Sequence, residues 1–246
     1  MSAQQYDEIG EAYEGFKALP LEQYAVVPSF LGMVGDVHGR SVLDLACGTG
    51  FYSREFRRRG ATEVLGIDIS GEMIAVAQQL EERDPLGVRY EVGDVAELRA
   101  LEQRFDVVLA VQLFNYAADI ATTERMCRNA HRSLKPGGEL FALNQSPDFR
   151  FDGPPPDKYG FRSELTGEEA ETGPQVRTTA LLDPPVSFLA NRPRREVYEK
   201  SLQAAGFTEV TWVPLTVSDA GVRTFGADHW ADFHANPPLE MLRCRA

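Results

Sequence analysis

The sequence predicts an α/β fold in which helices cover both faces of a mostly parallel sheet. Apolar runs alternate with helical patterns from Ser41 to Asn144, and the runs are rich in valine, leucine and isoleucine. This composition is typical of strands that are buried on both faces of a parallel sheet. With 246 residues, 43% of them hydrophobic, the chain can bury a substantial core as one elaborated unit. The alternation therefore favours a doubly wound architecture.

The first half of the chain supplies the predicted strands and helices of this unit. The strands are SVLDLA (41–46), EVLGID (63–68), VRYEVGD (88–94), FDVVLAV (105–111) and GELFALN (138–144). Helices are predicted in FYSREFRRRG, which ends at Gly60, and in GEMIAVAQQLEERD. A longer helix in DIATTERMCRNAHRSL precedes LKPGG, where proline and glycine predict a helix stop and a tight turn.

The pattern changes after Asn144. The segment QSPDFRFDGPPPDKYGFRSELTGEEAETGP has three consecutive prolines, several aromatic residues and no helical period. The alternation in VRTTALLDPPVSFLANR then predicts short antiparallel strands, so we expect an inserted lid. A helix at 194–207 and strands at 208–218 and 240–245 follow. The predicted division is a helical cap (1–35), a core (36–144), a lid (145–193) and a C-terminal completion of the core sheet (194–246).

Charge and composition limit the classes of partner. The formal net charge of −12 disfavours a duplex nucleic acid or an anionic membrane. The polar start of the chain and the lack of a membrane-length apolar run predict a cytoplasmic protein. Cys47, Cys127 and Cys244 are far apart and odd in number, which predicts neither a metal site nor a disulfide framework.

The loop after the first strand predicts a nucleotide site. Gly48 and Gly50 would let backbone N–H groups approach a ligand closely. Asp68, at the end of the second strand, is suitably placed for ribose hydroxyls. A nicotinamide dinucleotide is opposed by Ser53, which stands where its fingerprint has a third glycine. Asp44 opposes it too, because a carboxylate beside a pyrophosphate is unfavourable and instead favours a cationic ligand.

Five motifs then carry a resemblance to a known family. VLDLACGTG, GIDIS, GDVAEL, FDVVLAV and LKPGG resemble, in this order and spacing, the class I S-adenosylmethionine-dependent methyltransferases. The resemblance implies a Rossmann-like seven-stranded sheet in the order 3-2-1-4-5-7-6, with only the last strand antiparallel. It also implies S-adenosylmethionine (SAM) as cofactor and S-adenosylhomocysteine (SAH) as product, which makes 36–144 the SAM-binding core.

The same resemblance implies roles for individual residues. Those beside the methionine part and the transferring methyl are Asp44, Ala46, Gly48, Gly50, Val111 and Gln112. Those around the adenosine are Asp68, Ile69, Met73, Asp94 and Val95. Ordinary structural roles remain open for three of them, since Asp68 suits a turn, Met73 suits a helix core and Asp94 suits a helix cap.

The N-terminal segment YDEIGEAY adds two more candidates. In similar methyltransferases a leading helix with this pattern closes over the cofactor, which implies that Tyr6 and Tyr13 bind it. Amphipathic packing of these tyrosines onto the core is the alternative, because their spacing also fits one face of a helix.

The acceptor site is predicted outside the carboxyl ends of the fourth and fifth strands, where ligands of open α/β sheets bind. Amides and aromatic rings there suit a small planar molecule, although some of the rings could instead fill a core of the lid. The candidates are Gln112, Asn115, Tyr116, Asn144, Phe149, Tyr159, Phe161, His229 and Trp230. No catalytic residue is obligatory for such a transfer, and His229 is the candidate general base.

The ends of the chain resemble a narrower group. YDEIGEAY and FGADHWADFHANPPLEMLRC resemble small-molecule methyltransferases of bacterial secondary metabolism, antibiotic pathways included, among them toxoflavin-type azapteridine N-methyltransferases. This predicts methyl transfer to nitrogen or oxygen of a planar heterocycle by a monomer or homodimer, without a metal and without a nucleic-acid or membrane partner. A non-catalytic SAM- or SAH-binding sensor or partner subunit is the alternative.

Overall fold

A computed structural model describes residues 15–98 and 101–246. Its first five strands are β1 (Ser41–Leu45), β2 (Glu63–Asp68), β3 (Arg89–Val92), β4 (Phe105–Val111) and β5 (Leu134–Gln145). All neighbouring pairs among them are parallel, with Leu43 opposite Leu65 on one side and Val108 on the other. Every residue of β1 is buried, as its unbroken apolar run predicts.

An antiparallel sheet follows β5. Its strands are β6 (Phe161–Glu169), β7 (Pro174–Ala180) and β8 (Val186–Asn191), with β7 in the centre. We refer to these three strands as the lid sheet. It lies within the segment predicted as a lid.

The last two strands complete the large sheet. They are β9 (Thr208–Val213) and β10 (Leu239–Arg245), and β10 pairs antiparallel with both β5 and β9. The order is β3-β2-β1-β4-β5-β10-β9. The predicted fold class, strand order and single antiparallel strand are confirmed.

Helices pack on both faces of the large sheet. They are α1 (Val27–Val34), α2 (Phe51–Arg58), α3 (Gly71–Arg83), α4 (Ile120–Ser133), α5 (Arg195–Ala205), α6 (Asp219–Phe225) and α7 (Ala231–Ala235), with a π-helical turn at Glu22–Val26 before α1. Short 3-10 turns lie at Gly15–Ala18, Val95–Glu97, Phe114–Tyr116, Asp157–Tyr159 and Asp228–Trp230. Caps set several helix starts: the Ser70 hydroxyl accepts from the Met73 N–H, and the Asp119 carboxylate accepts from the Thr122 N–H.

The sheet separates two hydrophobic clusters. Val42 and Leu109 belong to one cluster, whereas Leu43 and Val108 belong to the other. Because side chains alternate along a strand, Asp44 faces the same side as Val42. This side also carries α2, whose Tyr52 and Phe56 join the first cluster.

Some boundaries differ from the predictions. LKPGG, predicted as a turn, is instead the start of β5, where Leu134 pairs with Phe105 before the register shifts. Proline lacks an N–H and is tolerated where ladder pairing is irregular, which explains how Pro136 fits there. The strand predicted at 208–218 ends at Val213, since Pro214 follows, and α6 and α7 were not predicted. Within the described residues, no helix is both long and apolar enough to cross a bilayer.

Candidate active site

The loop after β1 is built from residues with left-handed backbone. The φ angles are 58° at Ala46, 55° at Gly48 and 84° at Gly50. Gly50 precedes α2, and a Cβ atom there would collide with the Tyr90 hydroxyl. Only glycine fits at this position, so the loop packs tightly against β3. The N–H groups of Gly48 and Gly50 are engaged within the chain, by the Asp68 carboxylate and the Cys47 carbonyl.

Asp68 ties the end of β2 to this loop. One carboxylate oxygen accepts from the Gly48 N–H at 2.8 Å, and the other accepts from the Ser70 N–H at 2.9 Å. A carboxylate only accepts hydrogen bonds, which is what ribose hydroxyls, as donors, require. The two backbone bonds thus hold the loop and the carboxylate in one fixed arrangement.

Asp44 is a buried acid beside the loop. Its side chain is 1% exposed, and one oxygen accepts from the Ser53 hydroxyl at 2.6 Å. Burial raises the pKa of Asp44 to about 7, and the charge of Asp68 acts in the same direction. A cationic ligand would favour the ionised form, so this carboxyl is prepared to receive positive charge.

The predicted adenosine residues differ in exposure. Ile69 is 47% exposed next to Asp68, so it offers an apolar surface to a flat ring. Met73 is 1% exposed and lies on the inner side of α3. Asp94 caps the 3-10 turn by accepting from the Ala96 N–H at 2.8 Å, and Val95 is buried. Tyr6 and Tyr13 lie outside the described residues.

A partly open cavity lies beyond the carboxyl ends of β4 and β5. We call it the acceptor cavity. Four aromatic rings and two glutamine amides contribute to its wall. The lining residues are Phe16, Lys17, Leu21, Glu22, Gln112, Tyr116, Gln145, Phe161, Ser163, Thr178, Phe188, Pro238 and Leu239.

One wall of the acceptor cavity is the inner face of the lid sheet. Ser163 pairs with Thr178, and Thr178 pairs with Phe188, so these three side chains form one row across the strands. Phe16 packs onto this wall, with its ring centroid 6.2 Å from that of Phe161 and 6.1 Å from that of Phe188. The Thr178 hydroxyl is buried without a hydrogen-bond partner among the described residues. It is therefore available to a ligand.

The opposite wall follows β4. Gln112 has a φ of 56°, an uncommon backbone conformation for a residue other than glycine. Its side-chain oxygen accepts from the Asn115 amide, and Asn115 is itself 1% exposed. Strain of this kind is concentrated at functional sites, where it fixes a side chain in place. Of the predicted acceptor residues, Gln112, Tyr116 and Phe161 line the cavity, and Asn115 supports it from behind.

The remaining predicted acceptor residues lie elsewhere. Tyr159 and Trp230 stack at 5.0 Å inside an aromatic cluster and are 1% and 0% exposed. The Tyr159 hydroxyl donates to the His229 carbonyl at 2.8 Å and accepts from the Phe233 N–H at 3.0 Å. Tyr159, Trp230 and His229 are absent from the cavity lining. The burial of Tyr159 and Trp230 favours a structural role beneath the lid.

Asn144 and Phe149 also face away from the lining residues. Asn144 is fully buried on β5, and neither polar atom of its side chain has a partner among the described residues. Phe149 is buried, and its ring centroid lies 4.5 Å from the guanidinium carbon of Arg192.

Sequence reasoning did not assign several lining residues. Lys17 and Glu22, which pair at 2.7 Å, come from the segment before α1, and Ser163, Thr178 and Phe188 come from three strands. Period-two alternation identifies one face of each strand, but the register that aligns them depends on pairing between distant segments. Within 15–98 and 101–246, no group of three or more histidine, cysteine or acidic residues could hold a metal ion.

Comparisons with known proteins bear on the core. Residues 42–138 match a family model described as a methyltransferase domain. A ubiquinone biosynthesis O-methyltransferase from Coxiella burnetii is 34% identical over 112 residues, which are 46% of this chain and 46% of that protein. The chain thus spans about half the length of the curated relatives it matches.

Two solved structures share the fold over nearly the whole chain. The CcbJ methyltransferase from Streptomyces caelestis has a TM-score of 0.70 and 19% identity, covering 100% of this chain and 99% of that one. A SAM-dependent methyltransferase from Mesorhizobium loti has a TM-score of 0.64 and 22% identity, covering 89% and 96%. At these identities the likeness concerns the fold.

Proposed function

We propose that the chain, whose residues 42–138 match the methyltransferase-domain family model, is a class I SAM-dependent methyltransferase that methylates a nitrogen or oxygen of a small planar heterocycle. The proposal extends to bacterial secondary metabolism as the setting. The observation that carries it is the acceptor cavity, which opens at Gln112 and combines aromatic rings with amide groups. Such a lining suits a flat, weakly polar molecule.

The residues around the glycine loop fit SAM. Asp44 is a buried acid that accepts hydrogen bonds from the hydroxyl and the backbone of Ser53, and a sulfonium or ammonium group would satisfy its charge. Asp68 would accept hydrogen bonds from the ribose hydroxyls, and Ile69 would offer its exposed apolar surface to adenine. The close contact of Gly50 with Tyr90 fixes the loop against β3.

The chain contributes to the reaction by positioning the acceptor relative to the methyl group of SAM. When bound, SAM supplies a methyl group that is already activated towards a nucleophile. The lid sheet and Phe16 hold a flat ring, and Gln112 lines the acceptor cavity at the end of β4. Orientation of this kind can lower a barrier by roughly 7–11 kcal/mol in favourable cases.

The lining indicates the kind of acceptor atom. Glu22 is the acid among the lining residues, and it is engaged with Lys17. His229, the predicted base, is absent from the lining. An acceptor that needs no general base is therefore favoured, namely a ring nitrogen or an oxygen that is already ionised.

Methylation of a phenolic oxygen is a second candidate. It is favoured by the similarity to proteins named ubiquinone biosynthesis O-methyltransferases. That similarity covers less than half of each chain, so the lid sheet is the stronger guide to the acceptor. We further propose that the chain acts as a monomer or homodimer without a nucleic-acid or membrane partner.

A single assay separates these possibilities. The purified chain is titrated calorimetrically with SAM, SAH and NAD, and then incubated with SAM and a library of planar heterocycles and phenols. Acceptor-dependent formation of SAH and a methylated product supports the proposal. Binding of SAM without any transfer supports the non-catalytic sensor instead, and failure to bind SAM or SAH contradicts both. A Phe161→Ala variant serves as the acceptor-site control.

A further inference from the structure

Arg192 is a buried cation behind the acceptor cavity. It is 3% exposed and lies between β8 and α5, where its guanidinium stacks on Phe149 at 4.5 Å and Phe151 at 4.8 Å. Its Nη2 donates to the Gln145 side-chain oxygen at 2.9 Å, whereas Nε and Nη1 have no partner among the described residues. Burial lowers the pKa of Arg192 to about 10. A buried cation without a carboxylate partner is unfavourable for folding, which suggests a role in the site.

This arginine fixes the orientation of Gln145. A guanidinium can only donate hydrogen bonds, so the Gln145 oxygen must face Arg192. The amide nitrogen of Gln145 is then left for the acceptor cavity, which Gln145 lines. No described residue accepts a hydrogen bond from that nitrogen.

A second set of hydrogen bonds fixes the orientation of the Gln112 side-chain amide. The Asn115 side-chain oxygen accepts from the Gln145 backbone N–H at 3.5 Å and from the Tyr198 hydroxyl at 3.3 Å. Burial raises the pKa of Tyr198, which keeps this hydroxyl protonated. The Asn115 amide nitrogen therefore donates to the Gln112 oxygen. The Gln112 amide nitrogen is again the group that remains for the cavity.

We propose that Arg192 and Asn115 are positioning residues that turn the Gln145 and Gln112 amides so that both present N–H groups to the acceptor. This inference rests on the proposed function and names the class of substrate. It is a planar molecule whose edge carries two carbonyl oxygens as hydrogen-bond acceptors. The Thr178 hydroxyl on the facing wall adds a polar contact.

The two N–H groups also have a chemical consequence. Hydrogen bonds donated to a carbonyl oxygen stabilise negative charge on that oxygen and on a conjugated ring nitrogen. The proton of an imide N–H or a phenol would then leave to water more readily before methyl transfer. This accounts for a site whose lining offers no unengaged base among the described residues.

The test compares two probes of the same shape. Quinazoline-2,4-dione carries two carbonyl oxygens, and 2,4-diaminoquinazoline carries amino groups in their place. Both are titrated calorimetrically into SAH-saturated protein, so the readout is binding and not turnover. We expect the dione to bind at least about tenfold more tightly than the diamine. The N–H groups of the two glutamines can donate to the carbonyl oxygens of the dione, but not to the amino N–H groups of the diamine.

Three variants test these hydrogen bonds. Gln145→Glu keeps the partner of Arg192 but replaces the N–H donor by an oxygen, and it should reduce the dione preference at least about tenfold. Arg192→Met should reduce the preference too, whereas a merely structural role would weaken both probes equally. Gln203→Glu, on the exposed face of α5, is the matched control and should leave the preference unchanged.

Several results would overturn the inference. They are a wild-type preference below tenfold, no binding of the dione, or an unchanged preference in Gln145→Glu. Gln145→Glu decides the matter if Arg192→Met does not fold, which a thermal melt would reveal. Loss of SAH binding by the wild-type chain would instead contradict the proposed function, so the two failures are distinguishable.

Discussion

The glycine loop and the acceptor cavity are built in opposite ways. The loop uses neighbouring backbone, with Ala46, Gly48 and Gly50 in left-handed conformations and Asp68 bonded to it. The cavity uses side chains from the segment before α1, the ends of β4 and β5, and all three strands of the lid sheet. A site made of backbone tolerates few substitutions, whereas a site made of side chains can change its ligand by exchanging them. This difference explains why a sequence motif indicates the cofactor, whereas no motif indicates the acceptor.

The largest expected effect is a loss of cofactor affinity on substitution in the glycine loop. Gly50→Ala places a Cβ against the Tyr90 hydroxyl in a backbone with φ of 84°, so SAH affinity should fall by at least about 100-fold. Gly226→Ala is the matched control, because Gly226 has the same φ of 84° and open space around its Cβ position. It should lose about 1–2 kcal/mol of stability and keep its SAH affinity. Calorimetry with thermal melts measures both, and equal effects in the two variants would contradict the account.

The acceptor side should respond separately. Phe161→Ala removes one ring of the cavity wall and should raise the acceptor KM about tenfold while the Kd for SAH stays unchanged. Leu165→Ala, on the same strand but 52% exposed, is the control. Steady-state kinetics and SAH titration distinguish the two constants. A parallel loss of SAH affinity in Phe161→Ala would show that the two regions are not independent.

The pH dependence of stability and of SAM affinity tests the role of Asp44 beside the glycine loop. Burial raises the folded-state pKa of Asp44 from 3.8 to about 7, opposed by the Ser53 hydrogen bond and the Lys17 charge. The folded protein thus binds this proton more tightly, so the Asp44 contribution to stability decreases as pH rises from about 4 to about 7. Cationic SAM needs the ionised form, so its affinity should increase up to about tenfold per pH unit below pH 7 and then level off.

Calorimetry from about pH 6 to about pH 8 checks this dependence. SAH, which lacks the sulfonium charge, should show a weaker trend, and Asp44→Asn should remove it. SAM affinity that stays flat or falls over this range in the wild-type chain would refute the role of Asp44.

The aromatic cluster under the lid should affect stability more than acceptor binding. Tyr159→Phe leaves the Phe233 N–H without its acceptor and the His229 carbonyl without its donor. We expect the free energy of unfolding to fall by about 1–3 kcal/mol. Chemical denaturation measures this loss. If Tyr159→Phe increased the acceptor KM more than Phe161→Ala does, Tyr159 would instead contribute to acceptor binding.

The smallest expected effect concerns metals. The described residues lack a group of His, Cys, Asp or Glu that could hold an ion, so EDTA should leave turnover unchanged. Loss of turnover in EDTA that Mg²⁺ restores would show a metal requirement.

Local pattern predicted the sheet and the cofactor side because its determinants are close in sequence. The first five strands, the glycine loop and Asp68 follow from short motifs between 41 and 144, and the family resemblance that these motifs carry implied the strand order. The acceptor side depends on contacts between distant segments. Aromatic content alone could not separate Phe161, which lines the cavity, from Tyr159 and Trp230, which stack in a core. Nothing in the sequence indicated Arg192, because its significance lies in a buried guanidinium whose Nε and Nη1 have no partner among the described residues.

The position of the sulfur atom in a crystal structure with SAH tests the central claim most directly. The account predicts ribose hydroxyls on Asp68 and the sulfur beside Gln112, facing the acceptor cavity. When quinazoline-2,4-dione is added as a second ligand, it should occupy that cavity with a ring atom in line with the sulfur. A sulfur atom that points away from the cavity, or SAH bound at another edge of the sheet, would contradict the account.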